Sequence, residues 1–189
     1  QQTLEIQFEE PKENTETMAK SIEEKVEDWA KKQFGSQKYY TKTESINAEI
    51  DNALHKAPSK SGGSGSNFPD IKCMIDVDVR RIPVMIEVKG TQGALIKSDA
   101  TGAVENTTKK GDPNYSNIAK YAVNGAVHYA RAILDLAPSY KEVLAIGVNG
   151  YEQGTETKYE VSAWYVSKEN LYLPKKVGDF EDLSFLLKK

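Results

Sequence analysis

Cysteine is almost absent from this chain: Cys73 is the single thiol in 189 residues. One thiol makes no disulfide within a chain and rules out a cysteine-built zinc cluster. Cys73 lies in an apolar stretch and reads as a small buried residue, which suits a reducing, cytoplasmic setting. The two histidines, His55 and His128, do not form a His-rich metal site. No apolar run reaches the roughly 18–20 residues of a spanning helix, so no membrane segment is expected. No charged-then-apolar leader opens the chain. It lacks an initiator Met and stops soon after Phe185-Leu186-Leu187, so it is expected to be a domain cut from a longer polypeptide. Positive charge is not in excess either: the net charge of −3 argues against an indiscriminate nucleic-acid coat. Familiar nucleotide and hydrolase signatures are missing. There is no Gly-x-x-x-x-Gly-Lys-Ser/Thr loop, no strand-linked Gly-x-Gly-x-x-Gly and no Gly-x-Ser-x-Gly elbow. The glycines of Gly62-Gly63-Ser64-Gly65-Ser66 precede a strand, so they lack the helix N-terminus that would bind phosphate.

What remains is enough for one packed domain. Met18, Ile22, Val26, Trp29 and Ala30 recur at helical spacing, which predicts a helix over residues 15–34 ended by Gly35. Its other face, rich in Glu and Lys, reads as solvated. A second helix is expected from Thr41, with Glu44 completing a capping box and Ile46, Ile50, Ala53 and Leu54 as its apolar stripe. Pro58 to Asn67 is a flexible loop. Ile71–Val79 and Ile82–Lys89 read as strands around a turn at Arg80-Arg81. Residues 90–114 form a long loop, and such loops are functional or disordered. A helix follows from Tyr115 to Leu136, with Ile118, Tyr121, Ala122, Ala126, Tyr129 and Ile133 on its apolar side. Val143–Val148 suits a central strand and Tyr159–Val166 another. A short final helix carries Phe180, Leu183, Leu186 and Leu187. The order of elements predicts an α/β sandwich with a mixed sheet.

Charge is distributed unevenly. Residues 1–35 hold nine acids against five Lys/Arg, whereas residues 56–97 hold seven Lys/Arg against four acids. Two of those four acids carry the chemistry. Asp70 follows Pro69 at the head of a strand, and Glu87-Val88-Lys89 closes the next one. Side chains alternate faces along a strand, so Glu87 and Lys89 point one way while Val84, Ile86 and Val88 point into a core. Two carboxylates and one base beside a sheet can hold a divalent cation over a phosphodiester. Mg²⁺ needs only two carboxylates and a carbonyl, since it keeps several waters. Asp70, Glu87 and the Val88 carbonyl are the expected ligands. Lys89 either helps deprotonate the attacking water or stays charged and stabilises the transition state. Glu49, at the edge of the second helix's stripe, is a candidate accessory acid.

Pro69-Asp70…Glu87-Val88-Lys89, with Glu49 on an upstream helix, resembles the PD-(D/E)XK nuclease superfamily. Tyr121–Ala130 and Glu142–Val148 are similar to the N-terminal nuclease domain of type IIG or type I-like restriction–modification proteins. The resemblance implies a restriction-endonuclease-like three-layer sandwich, a mixed central sheet flanked by helices. Its core would span residues 41–189, with residues 1–40 as a helical segment packed on it. It also implies a Mg²⁺-dependent DNA endonuclease (Mn²⁺ substituting) in which Asp70, Glu87 and Lys89 are catalytic and Glu49 accessory. The expected partners are double-stranded DNA, linked methyltransferase and target-recognition domains, and a second copy in a transient dimer for double-strand cleavage. Several relatives carry Gln-x-x-x-Tyr on the helix after the catalytic strand. Here Asn124 and His128 stand at that spacing, on one stripe with Arg131. These three and Lys97 are candidate DNA contacts. The competing reading is a non-catalytic DNA-binding or assembly module on the same fold.

Overall fold

The computed structural model describes residues 20–170 and 172–188, so the start of the expected first helix lies outside the described residues. In chain order the elements are α1 (Ile22–Lys32), β1 (Tyr40–Thr41), α2 (Ala48–Lys56), β2 (Ile71–Val77), β3 (Arg80–Lys89), α3 (Tyr115–Lys120), α4 (Ala122–Leu136), β4 (Glu142–Gln153), β5 (Glu156–Ser167), β6 (Lys175–Phe180) and a 3-10 turn at Ser184–Leu186. The six strands form one sheet in the order β1-β2-β3-β4-β5-β6. Of its pairings only β3–β4 is parallel. A parallel pair needs a crossover, and residues 90–136 supply it through the long loop, α3 and α4.

Burial on both faces follows from the alternation in β3. Val84, Ile86 and Val88 pack with Val26 and Ala30 of α1 on one side of the sheet. Met85 packs with Ile50 and Leu54 of α2 and with Val127 and Ile133 of α4 on the other. The sheet is therefore flanked by helices on both faces. Glu87 shares the α4 side and is 1% exposed. Cys73 is buried among apolar neighbours, and burial pushes its thiol up to about 12. Among the described residues no helix is long and apolar enough to cross a membrane.

Several expected boundaries move, each for a local reason. Thr41 and Glu44 make only half of the capping box: Thr41 N–H and Oγ1 donate to Glu44 Oε1 at 3.0 and 2.8 Å, while Glu44 N–H donates to the Thr41 carbonyl at 3.2 Å and not to its hydroxyl. They close a turn instead of a helix, because Thr41 is paired with Ile71 as part of β1. The helix starts at Ala48, capped by the Asn47 side chain, which accepts from Ile50 N–H at 2.9 Å. The β2–β3 turn is Asp78-Val79, not Arg80-Arg81, and Val77 pairs with Arg80. Two-residue hairpin loops need positive φ at the first central position; Asp78 tolerates it, at 56°. The expected helix from Tyr115 to Leu136 breaks at Tyr121, whose backbone is extended. That break frees Ala122 N–H and Val123 N–H to donate to the carbonyls of Ala94 and Leu95, at 2.9 and 2.8 Å. The end of the chain holds the edge strand β6 and a single 3-10 turn where a final helix was expected.

Candidate active site

Asp70 and Glu87 come together at the end of the sheet, both almost fully buried, at 5% and 1% exposure. The last β2–β3 pair is Ile71 with Ile86, so beyond it one edge of β3 is open. Asp70 fills that edge: its Oδ2 accepts from Val88 N–H at 2.7 Å. N–H and C=O of one strand residue point to the same side, so the Val88 carbonyl opens toward Asp70 as well. Glu87 Oε2 accepts from Tyr129 Oη at 2.7 Å, a bond from α4 down onto β3. The two carboxyls lie near enough to couple, each bearing on the other's charge. Burial first, and then Asp70, push the Glu87 carboxyl up to about 8. Burial also works to raise Asp70, but Glu87, Val88 N–H and Lys42 outweigh it and hold Asp70 below its ordinary value.

An ammonium group meets each carboxyl. Lys42 Nζ lies 2.9 Å from Asp70 Oδ1. Lys60, from the Gly- and Ser-rich loop, pairs with Glu87 Oε2. With Glu23, Ser59 and Tyr129 these groups line an open cavity of about 510 Å³ whose floor is the carboxylate pair. Among the described residues no third His, Cys, Asp or Glu completes a metal-binding cluster. The donor set is two carboxylates and one carbonyl, all hard oxygens, already drawing two cationic groups. It fits a Mg²⁺-like ion that completes its coordination with water, and it does not fit zinc.

The other expected residues are placed as follows. Lys89 is half-buried on the Glu87 face of β3, in register with Asn149, and does not line the cavity. Glu49 is not brought to the site: its Oε1 accepts from Ser139 N–H at 2.7 Å, tying α2 to the turn after α4. The acids near the pair come from α1 instead. Glu23 lines the cavity, and the Glu27 carboxyl is raised by burial and then by Asp70. The α1 face read as solvated thus contributes to the site. Gly90 makes the approach possible, since a Cβ there would sit 2.5 Å from Glu23 N.

Asn124 is fully buried and cannot reach DNA. Its Oδ1 accepts from Lys97 N–H at 2.9 Å, and its Nδ2 donates to Lys97 O at 3.1 Å and Asn106 Oδ1 at 2.9 Å. It pins the long loop, and Lys97 is held there by its backbone. His128 Nε2 lies 2.7 Å from Pro58 O, fixing the start of the Gly-rich loop. Arg131 is exposed and lies over the Tyr172 ring, 5.3 Å from its centroid.

Lys42, Lys60 and Tyr129 went unnoticed in the sequence. Lys60 had a signal, since it sits in the loop that leads directly into Pro69-Asp70. Tyr129 reads as one more apolar residue of the helix, and nothing local marks its hydroxyl.

No protein-family model and no solved structure matches this chain significantly. It is 29% identical over 150 residues to the type II restriction enzyme and methyltransferase RM.BcgI of Heyndrickxia coagulans. The match takes in 77% of this chain and 20% of that protein, so the chain spans about a fifth of the length of the curated relative it matches. By sequence, then, the chain is similar to one part of a fused restriction–modification enzyme.

Proposed function

We propose that the chain is a Mg²⁺-dependent endonuclease domain of PD-(D/E)XK type that hydrolyses phosphodiester bonds of double-stranded DNA. The observation that carries this reading is the buried Asp70–Glu87 pair lining one open cavity, each carboxyl met by an ammonium group. The similarity to a restriction enzyme supports it.

Asp70, Glu87 and the Val88 carbonyl would hold the cation. Bound there, Mg²⁺ would supply charge neutralisation on a phosphoryl oxygen and a more acidic water. The chain's own residues do the rest. Val88 N–H and Tyr129 Oη fix the two carboxylates so that their oxygens need no reorganisation. Lys42 and Lys60 give up the carboxylates and turn to the non-bridging oxygens of the phosphate. Lys89, on the Glu87 face, is the third catalytic candidate, as base or as charge stabiliser. Glu23 and Glu27 take the accessory place first expected for Glu49. Site recognition and methylation belong to other parts of the parent protein, and cutting both strands calls for a second copy of the domain.

The test pairs Mn²⁺ or Mg²⁺ titration calorimetry with plasmid nicking. The wild-type chain should bind the ion and nick only in its presence. Asp70→Ala and Glu87→Ala should lose both, and Lys89→Ala should lose nicking alone. Nicking in EDTA, or unchanged ion binding by Asp70→Ala and Glu87→Ala, would overturn the proposal.

A further inference from the structure

Phe68 stands one residue before the buried Pro69-Asp70 corner, yet its side chain is 56% exposed. The other exposed large hydrophobic residues among the described residues are aliphatic: Val79, Leu136, Leu173 and Val177. The backbone on either side of Phe68 is held firmly. Asn67 is 5% exposed, and its Nδ2 donates to the carbonyls of Leu54, Ala57 and Pro58 at 3.0, 3.3 and 3.0 Å. Its N–H donates to Leu54 O at 3.0 Å. On the far side Asp70 is locked to Val88 N–H. The ring therefore cannot retreat into the core and is held outward.

It borders two spaces. One is the carboxylate cavity, and the other is a smaller cavity of about 310 Å³ lined by Ser45, His55 and Lys72. Phe68, Asn67 and Lys42 line both. Lysines flank the same boundary: Lys42 lines both cavities, Lys60 the first and Lys72 the second. A nucleotide offers the complement of both features, a π-face for the ring and phosphates for the lysines.

We propose that Phe68 stacks on one base of the bound DNA strand, seating that nucleotide between the two cavities beside the phosphate held over Asp70 and Glu87. The assignment rests on the nuclease reading above. Stacking on an aromatic ring is tolerant of base identity, so Phe68 positions the strand without selecting its sequence. Lys42, on the boundary, takes the neighbouring phosphate.

The test measures binding of the 189-residue chain to fluorescent duplex DNA carrying a single-stranded overhang, whose bases are free to stack, by anisotropy, in EDTA so that no strand is cut, over a series of salt concentrations. Phe68→Ala and Phe68→Leu should each weaken binding about tenfold, and Phe68→Trp should not. The slope of log affinity against log salt should stay unchanged in Phe68→Ala, because stacking releases no counterions, whereas Lys42→Ala should lower it by about one. Unfolding curves should coincide for wild type and Phe68→Ala. Affinity unchanged in Phe68→Ala, or retained in Phe68→Leu, overturns the stacking role and leaves the nuclease reading in place. Failure of the wild-type chain to bind this DNA also overturns the stacking role, while the nuclease reading stands or falls on ion binding and nicking.

Discussion

Glu87 binds its proton more tightly in the folded chain than in the unfolded one, and the consequences can be measured. Its ordinary value of 4.5 rises to about 8, chiefly through burial. The stability this contributes is complete below about pH 4.5 and is lost as the pH climbs to about 8. Asp70 acts in the opposite sense: its contribution is present above its ordinary 3.8 and is lost as the pH falls through its lowered value. A divalent cation held as proposed would have to displace the Glu87 proton. Its affinity should therefore rise about tenfold per pH unit between pH 6 and 8 and level off above, as read by calorimetry. Glu87→Gln should bind weakly at every pH, without that slope. Tyr129→Phe keeps the ring but removes the donor to the ionised Glu87. It should weaken cation binding at pH 7 by about tenfold, or ~1.4 kcal/mol, with little change in denaturation midpoint. Asp70 and Glu87 were legible because the strand pattern itself carries them, two charges at the end of runs that read as buried. Lys42, Lys60 and Tyr129 reach the pair across 28, 27 and 42 positions of chain, from elements whose own patterns say nothing about it.

At the level of elements, close approach between α4 and the sheet sets the tolerance of the fold. A Cβ on Gly147 of β4 would lie 2.6 Å from Val123 N, in the first turn of α4. Backbone in a helix cannot yield as a side chain can. Gly147→Ala should cost about 1–3 kcal/mol in urea unfolding, typical of an overpacked core. The apolar strands β2–β5 and the helix α4 could be read from periodicity, because each buries a face. The edge strand β6 could not: Lys175, Lys176 and Val177 are all exposed, so no alternation survives in its sequence. The break at Tyr121 was hidden for another reason. Its cause is the pair of carbonyls at Ala94 and Leu95, far back in the loop.

For the whole molecule, the similarity to a fused restriction enzyme and methyltransferase over a fifth of that protein's length frames what the chain can do alone. On the proposed reading, the pocket of this domain engages phosphates and offers little surface for reading bases. Cleavage by the isolated chain should therefore show no sequence preference when fragment ends are sequenced; a single preferred site would place recognition within these residues. The mixed order of helices and strands was legible from the sequence, whereas the single parallel pairing, β3 with β4, came only with the three-dimensional arrangement.

Helix α4 draws these levels together. Asn124 pins the long loop; one turn on, His128 holds the Gly-rich loop and Tyr129 the carboxylate pair. Two loops and a pair of acids hang from a single rod. Displacing any of them alone means breaking its tether to that helix.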